Sequence, residues 1–258
     1  GNWEWRVRAE QLTPDLARLK SAINEDTALV SLSHVLFKND YLYDMRKITE
    51  MAHRKGALVL WDLSHSVGVV PIALDVCNVD FAIGCTYKYL NGGPGAPAFL
   101  YANKKWQDMV RSPIWGWWGQ NEPFAFGLDY SPASGVQRFL VGTQPMLSML
   151  TMEAALAPIL DAGIHRIRKK SVALSGYLIQ LVDAILAPHG FSLGSPRDPG
   201  QRGSHVSLRH TDAYRINRAL IEEMNVIPDF RTPDNLRLGL APLYTSFAEV
   251  WETVDRIR

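Results

Sequence analysis

Five consecutive apolar residues, Ala57-Leu58-Val59-Leu60-Trp61, constrain the fold of this chain more than any other feature. Successive side chains on a strand point to opposite faces, so a strand half-exposed to water alternates polar and apolar positions. An unbroken run predicts a strand covered on both faces, as in a parallel sheet with helices above and below. Similar runs occupy residues 81–83 and 98–101, with a shorter one at 28–32. Residues 44–54 carry helical spacing and stop at Gly56. Upstream, Thr13-Pro14-Asp15 reads as a helix start, with Thr13 as N-cap and Pro14 in the first turn. Leu16, Leu19 and Ile23 then share one helical face, and residues 3–8 read as a further short strand. Short buried strands separated by helices predict a parallel α/β sheet.

The pattern changes near Gly142-Thr143-Gln144-Pro145. Helices are expected at 145–160, ended by Gly163, and at 166–186, followed by strand 204–208, helix 212–224, strand 236–240 and helix 247–257. This divides the chain into 1–150, a large α/β part, and 151–258, a smaller α+β part. Residues 194–203 hold two prolines and three glycines and read as a surface loop. Arg166, Arg168, Lys169 and Lys170 read as a solvated helix face.

Charge narrows the class of partner. The 258 residues hold 27 Lys+Arg against 26 Asp+Glu, a formal charge of +1. A nucleic-acid or membrane-surface binder would show a basic stripe, so neither partner is expected. No run of eighteen or more uncharged apolar residues predicts a membrane span. The N-terminus carries charges where a signal peptide needs an apolar stretch. Only Cys77 and Cys85 occur, so no disulfide framework is implied. Together these predict a cytoplasmic protein.

In open α/β sheets ligands bind beyond the carboxyl ends of the strands. The run at 57–61 ends in Asp62-Leu63-Ser64-His65-Ser66, and the run at 81–83 leads into Cys85-Thr86-Tyr87-Lys88-Tyr89 and then Asn91-Gly92-Gly93-Pro94-Gly95. An acid and a lysine thus leave the same edge from successive strands. Pyridoxal phosphate (PLP) needs such a pair: the amine condenses with its aldehyde, and the carboxylate keeps its ring nitrogen protonated. Read one at a time, Asp62 is a helix cap and Lys88 a solvated side chain; the glycine-rich turn after the lysine favours a close ligand. Gly93-Pro94-Gly95-Ala96-Pro97-Ala98 fits the dinucleotide fingerprint in letters but precedes a strand, so it fails in context. The seven histidines show no H-E-x-x-H and no cluster with cysteine, so no metal is expected.

These strings closely resemble the kynureninases, fold-type I PLP enzymes. The resemblance rests on Asp62-Leu63-Ser64-His65-Ser66 and on Cys85-Thr86-Tyr87-Lys88-Tyr89-Leu90-Asn91-Gly92-Gly93-Pro94-Gly95. Further along are Gly116-Trp117-Trp118-Gly119, Gly142-Thr143-Gln144-Pro145, Arg202-Gly203-Ser204-His205-Val206-Ser207 and Arg237-Leu238-Gly239-Leu240-Ala241-Pro242-Leu243-Tyr244. It implies a fold-type I large domain, incomplete at its N-terminus, followed by a small C-terminal α+β domain. It implies hydrolysis of L-kynurenine, or its 3-hydroxy form, to anthranilate and L-alanine in tryptophan catabolism and NAD biosynthesis. Lys88 is then the Schiff-base lysine and proton shuttle, Asp62 the partner of the pyridine nitrogen, and His65 a cofactor neighbour. Tyr87 contacts the phosphate and donates a proton, and Ser33 offers a cofactor-contacting hydroxyl. Trp117 and Thr143 reach the phosphate of the neighbouring subunit in a homodimer with a shared active site. Arg237 clamps the substrate α-carboxylate.

Two departures stand out. Gln120 follows Gly119 where the family commonly has histidine. The chain also starts well inside the large domain, without the family's threonine-bearing phosphate loop and its stacking phenylalanine, so a fragment or a truncated homologue is expected. Other readings stay open. One is another fold-type I enzyme of desulfurase or aminotransferase type; a desulfurase needs a reactive cysteine downstream, and none follows Cys85. Another is a non-catalytic binding or dimerisation module. Residue by residue, Arg237 also reads as a surface ion pair, Trp117 and Trp118 as packing aromatics, His34 and His65 as structural, and Cys85 as a buried filler.

Overall fold

The computed structural model describes residues 16–258; the strand expected at 3–8 and the Thr13 cap lie outside them. Helix α1 (Leu16–Ala22) leads to β1 (Leu29–Ser33), α2 (Met45–His53), β2 (Leu58–Asp62), β3 (Phe81–Cys85) and β4 (Ala98–Ala102). The Asp44 carboxylate caps α2 by accepting from the Lys47 amide, and Gly56 turns the chain with a φ of 79°. The four strands lie in the order β1-β2-β3-β4.

The first three are parallel, but β4 runs antiparallel to β3, which corrects the all-parallel expectation. The cause lies in residues 86–97, which form no helix and turn through Gly92, Gly93, Pro94 and Gly95. A parallel return needs a crossover, usually helical, and this stretch folds back as a hairpin. Within this chain one face of the sheet is covered more fully than the other. Val30, Val59, Trp61 and Ala82 bury one face against α1, α2 and the chain around Tyr41 and Tyr43. On the other face Leu29, Ile83 and Leu100 remain 43%, 40% and 42% exposed.

A fully buried carboxylate, Asp80, ties the covered face together. Its oxygens pair with His53 Nε2 at 2.7 Å and Lys105 Nζ at 2.9 Å, and accept from the Val59 amide at 2.9 Å and Trp106 Nε1 at 2.7 Å.

After the short helix α3 (Lys104–Gln107), an irregular stretch of short 3-10 turns leads to α4 (Met146–Ala162) and α5 (Ile164–Leu181), which ends in a π-turn at Val182–Leu186. Then come β5 (Ser192–Leu193), β6 (His205–Arg209), α6 (Ala213–Glu222), β7 (Asp229–Arg231), β8 (Asn235–Gly239) and α7 (Phe247–Ile257). The second sheet, β5-β6-β8-β7, is antiparallel throughout. The two strands the apolar pattern did not foretell, β5 and β7, are two and three residues long, too short to show a period. Residues 164–189 have the length and composition of a membrane-crossing helix. Their apolar side, including Leu174, Leu178, Val182 and Leu186, instead packs on Val206, Leu208 and Leu236 as the spine of this sheet's core.

Two surface readings change. The loop 194–203 is half interior, with Arg202 only 3% exposed and its Nε donating to Ser175 Oγ at 3.0 Å. Arg168 is likewise no solvated side chain: it donates to the carbonyls of Pro199, Arg202 and Gly203 at 2.7–2.8 Å. A guanidinium has donors enough to satisfy several loop carbonyls at once, which a helix pattern cannot foretell.

The turn after β2 presses on the loop that carries Lys88. Gly68 has a φ of 87°, and a Cβ there would lie 2.7 Å from the Tyr89 carbonyl oxygen. Gly68→Ala is expected to destabilise the protein by about 1–3 kcal/mol, read as a lower urea midpoint at unchanged slope. An unaltered midpoint would mean that the two loops move independently.

Candidate active site

Because β1, β2 and β3 are parallel, their carboxyl ends share one edge. Ser33 pairs in register with Asp62, and Asp62 with Ile83, so the hydroxyl and the carboxylate sit side by side. Asp62 Oδ1 accepts from the Ser64 amide at 2.8 Å, a local Asx turn. Ser64 Oγ accepts from the Cys85 amide at 3.2 Å, and Lys88 Nζ donates to Cys85 Sγ at 3.4 Å. A three-link path thus joins the acid to the lysine. Cys85 is therefore no buried filler: it is part-exposed and the polar contact of Lys88. Ser64 belongs to the site, and the Asp-x-Ser spacing was the signal for it.

Lys88 Nζ also lies 4.7 Å from the centre of the Tyr87 ring. Burial pulls the Lys88 pKa down, but Tyr87 and Cys85 outweigh it and the net shift is upward. His65, the residue directly after the acid-bearing turn, moves the other way. Burial, then the nearby Lys88, His205, Arg237 and Arg231, push it down to about 3, so its ring is neutral at physiological pH. The same interactions place His65 where the first sheet meets the second. Burial holds the Tyr89 phenol well above its usual range.

Arg237 lies in β8, paired with Ser207 across the sheet. Its guanidinium contacts the Asp229 carboxylate and the Phe37 carbonyl and lies 5.9 Å over the Phe37 ring. The ion-pair reading and the clamp reading therefore meet in one residue, and holding another carboxylate requires Arg237 to exchange Asp229 for it. Trp117 and Thr143 are not gathered in. Trp117 packs edge-on to Trp118 and Phe124, Thr143 is exposed, and among the described residues neither bonds to Asp62, His65 or Lys88. Gln120 serves its own turn, accepting from the Ser131 amide at 2.9 Å. Among the described residues no cluster of three or more metal-ligating side chains occurs.

The donor set suits a pyridine aldehyde. Among the described residues the second Asp62 oxygen accepts no hydrogen bond, leaving it for a protonated ring nitrogen, and Lys88 offers its amine from the loop after β3. Gly92 lets the backbone close beside them, since a Cβ there would lie 2.8 Å from that of Ala96.

Comparison with known proteins agrees. A profile of the kynureninase C-terminal domain matches residues 167–257. The kynureninase of Pseudomonas fluorescens is 44% identical over 237 residues, covering 92% of this chain and 57% of that protein. That of Burkholderia mallei (strain SAVP1) is 43% identical over 248 residues, covering 96% and 59%. The chain thus spans a little more than half the length of these relatives. Among solved structures, a cysteine desulfurase from Thermococcus onnurineus NA1 superposes with a TM-score of 0.78 at 18% identity, over 93% of this chain and 61% of the other. A form of C-DES with glycine covalently linked to its PLP cofactor gives a TM-score of 0.81 at 20% identity, over 95% and 64%. These likenesses establish the fold-type I architecture.

Proposed function

Since the chain is a homologue of the kynureninases over nearly all of its length, we propose that it forms much of the active site of a PLP-dependent hydrolase that splits L-kynurenine into anthranilate and L-alanine. The observation that carries this reading is the path from Asp62 through Ser64 and Cys85 to Lys88, with Arg237 close by. Asp62 and Lys88 would hold the two ends of the cofactor, with Ser33 and His65 beside it. When bound, the cofactor supplies an aldehyde for amine exchange and a protonated ring that withdraws electrons from the substrate Cα.

The rest falls to the chain's own groups. Arg237 binds the α-carboxylate through two parallel N–H donors and so fixes the direction of the Cα–H bond. Lys88 Nζ takes and returns the proton at Cα, and the Tyr87 hydroxyl donates beside it. Neutral His65 adds no charge to the pocket. A desulfurase reading is not favoured, since no cysteine follows Cys85.

We assign the cofactor-binding part to residues 1–150 and the smaller part to 151–258. We also propose a homodimer with a shared site, to which Trp117 and Thr143 contribute across the interface. In support, α4 is almost wholly apolar, yet only Ile159 is buried, while Met146, Leu147, Leu150 and Leu160 face solvent. A helix apolar all round calls for cover on more than one side. The two free cysteines suit a cytoplasmic setting.

The direct test loads the protein at full natural length with PLP and follows anthranilate fluorescence on adding L-kynurenine. Stoichiometric anthranilate and alanine are expected; a folded, PLP-loaded protein that yields neither refutes the reading. Arg237→Lys keeps the charge and loses the fork, so KM is expected to rise about ten- to a hundredfold with kcat less affected. An unchanged KM would return Arg237 to a structural pair with Asp229.

A further inference from the structure

A second buried acid lies just behind His65. Asp40 closes the loop after β1 with a φ of 65° and is fully buried. Its Oδ1 sits 2.8 Å from Nδ1 of His205, the first residue of β6, which is also buried. The far nitrogen of that ring, His205 Nε2, is buried with no hydrogen-bond partner. The His65 ring lies beside it, 5.9 Å between centres and tilted by 58°.

The neighbourhood fixes this pair firmly. His205, Ser207 and Arg237 share one face of the second sheet. Ser207 Oγ donates to the Lys38 carbonyl at 2.6 Å, Arg237 donates to the Phe37 carbonyl, and the Gly203 amide donates to the Asp40 carbonyl at 2.9 Å. Arg168 and Arg202 both lie near enough to Asp40 to feel its charge.

Both Asp40 oxygens are buried without a hydrogen bond and can only accept when ionised, so the nitrogen that faces them, Nδ1 of His205, is the one suited to carry a proton. In a neutral ring Nε2 is then a lone pair, and a buried acceptor without a donor is costly. The nearest ring able to supply an N–H is His65, which burial keeps neutral, with one N–H and one lone pair.

We propose that Asp40, His205 and His65 form a tautomer relay, in which a small rotation of His65 lets its N–H donate to His205 Nε2. The relay dictates which nitrogen of His65 keeps a lone pair for the bound ligand. His65 is thereby set by a residue of the second sheet, and His205 is a positioning residue for the reaction. That consequence rests on the kynurenine-hydrolysing reading; the relay itself does not.

The test is imidazole nitrogen NMR of the full-length, cofactor-free protein labelled with 15N-histidine, with His65 assigned through His65→Gln. In the unaltered protein His65 is expected to hold one tautomer, with about a tenth or less of the other. His205→Phe removes the acceptor, and the share of the minor tautomer should rise severalfold. His205→Gln, whose amide oxygen can still accept, should restore the single form. A His65 that samples both tautomers in the unaltered protein overturns the relay, and that spectrum decides even if His205→Phe does not fold. Retention of one tautomer in a folded His205→Phe protein overturns it equally. Failure to release anthranilate would refute the functional reading and leave the tautomer result standing.

Discussion

Lys88→Ala is expected to leave a protein that folds almost as well as the original and catalyses at least about a thousandfold less. The stability effect is small because the partners of Lys88 are weak. Its amine donates to a thiol sulfur at 3.4 Å and rests against the Tyr87 ring. Sulfur is a poor acceptor and an exposed cation–π contact contributes about 0.5–1 kcal/mol. The chemical effect is large because no other amine stands in the path that begins at Asp62. Added PLP should keep the absorption spectrum of the free aldehyde, and Lys88→Arg should do no better, since a guanidinium neither condenses nor gives up its proton. A variant with kcat/KM within tenfold of the original would remove Lys88 from the reaction.

Asp80→Ala should have the opposite profile, a large loss of stability from a residue outside the site. It strands the buried Val59 amide and the part-buried Trp106 indole, and removes the counter-charge of Lys105 and the partner of His53, a change that costs about 3–5 kcal/mol. For a domain of this size that lowers Tm by roughly 6–20 °C. The pH dependence has a definite sign. Burial raises the Asp80 pKa, but His53, Trp106, Lys105 and the Val59 amide together outweigh it, so the net shift is below the ordinary 3.8. A carboxylate depressed in the folded state contributes its full stability above the unfolded pKa and loses it as pH falls through the folded one. Urea midpoints of the original protein should therefore drop as pH falls below about 4, and Asp80→Asn should flatten that part of the curve. Parallel curves for the two proteins would show that the charge at Asp80 adds nothing.

Much of the scaffold was legible because each element carries its own signal. The apolar runs located β2, β3 and β4, Asp44 and Gly56 bracketed α2, and residues 247–257 matched α7. The acid–lysine pair was legible because strand ends follow from strands: Asp62 closes β2, and Lys88 follows the end of β3 by three residues. Strand direction was harder. The antiparallel β4 depends on what residues 86–97 cannot do, which is make a crossover helix. The surface readings at Arg168 and Arg202 failed because charge predicts solvent only where no carbonyl awaits it. Trp117 and Thr143 stand apart within a single chain, and their assignment comes from the resemblance alone.

By itself the sequence determined the longer strands, the main helices and the shared sheet edge of Asp62 and Lys88, because these depend on the period of apolar residues and on short spacings along the chain. Only the tertiary structure decided that Cys85 receives the lysine, that Asp229 occupies Arg237, and that Asp40 meets His205 across 164 intervening positions. Those contacts arise from two sheets closing on one loop, and a contact between distant segments leaves no period in the chain that makes it.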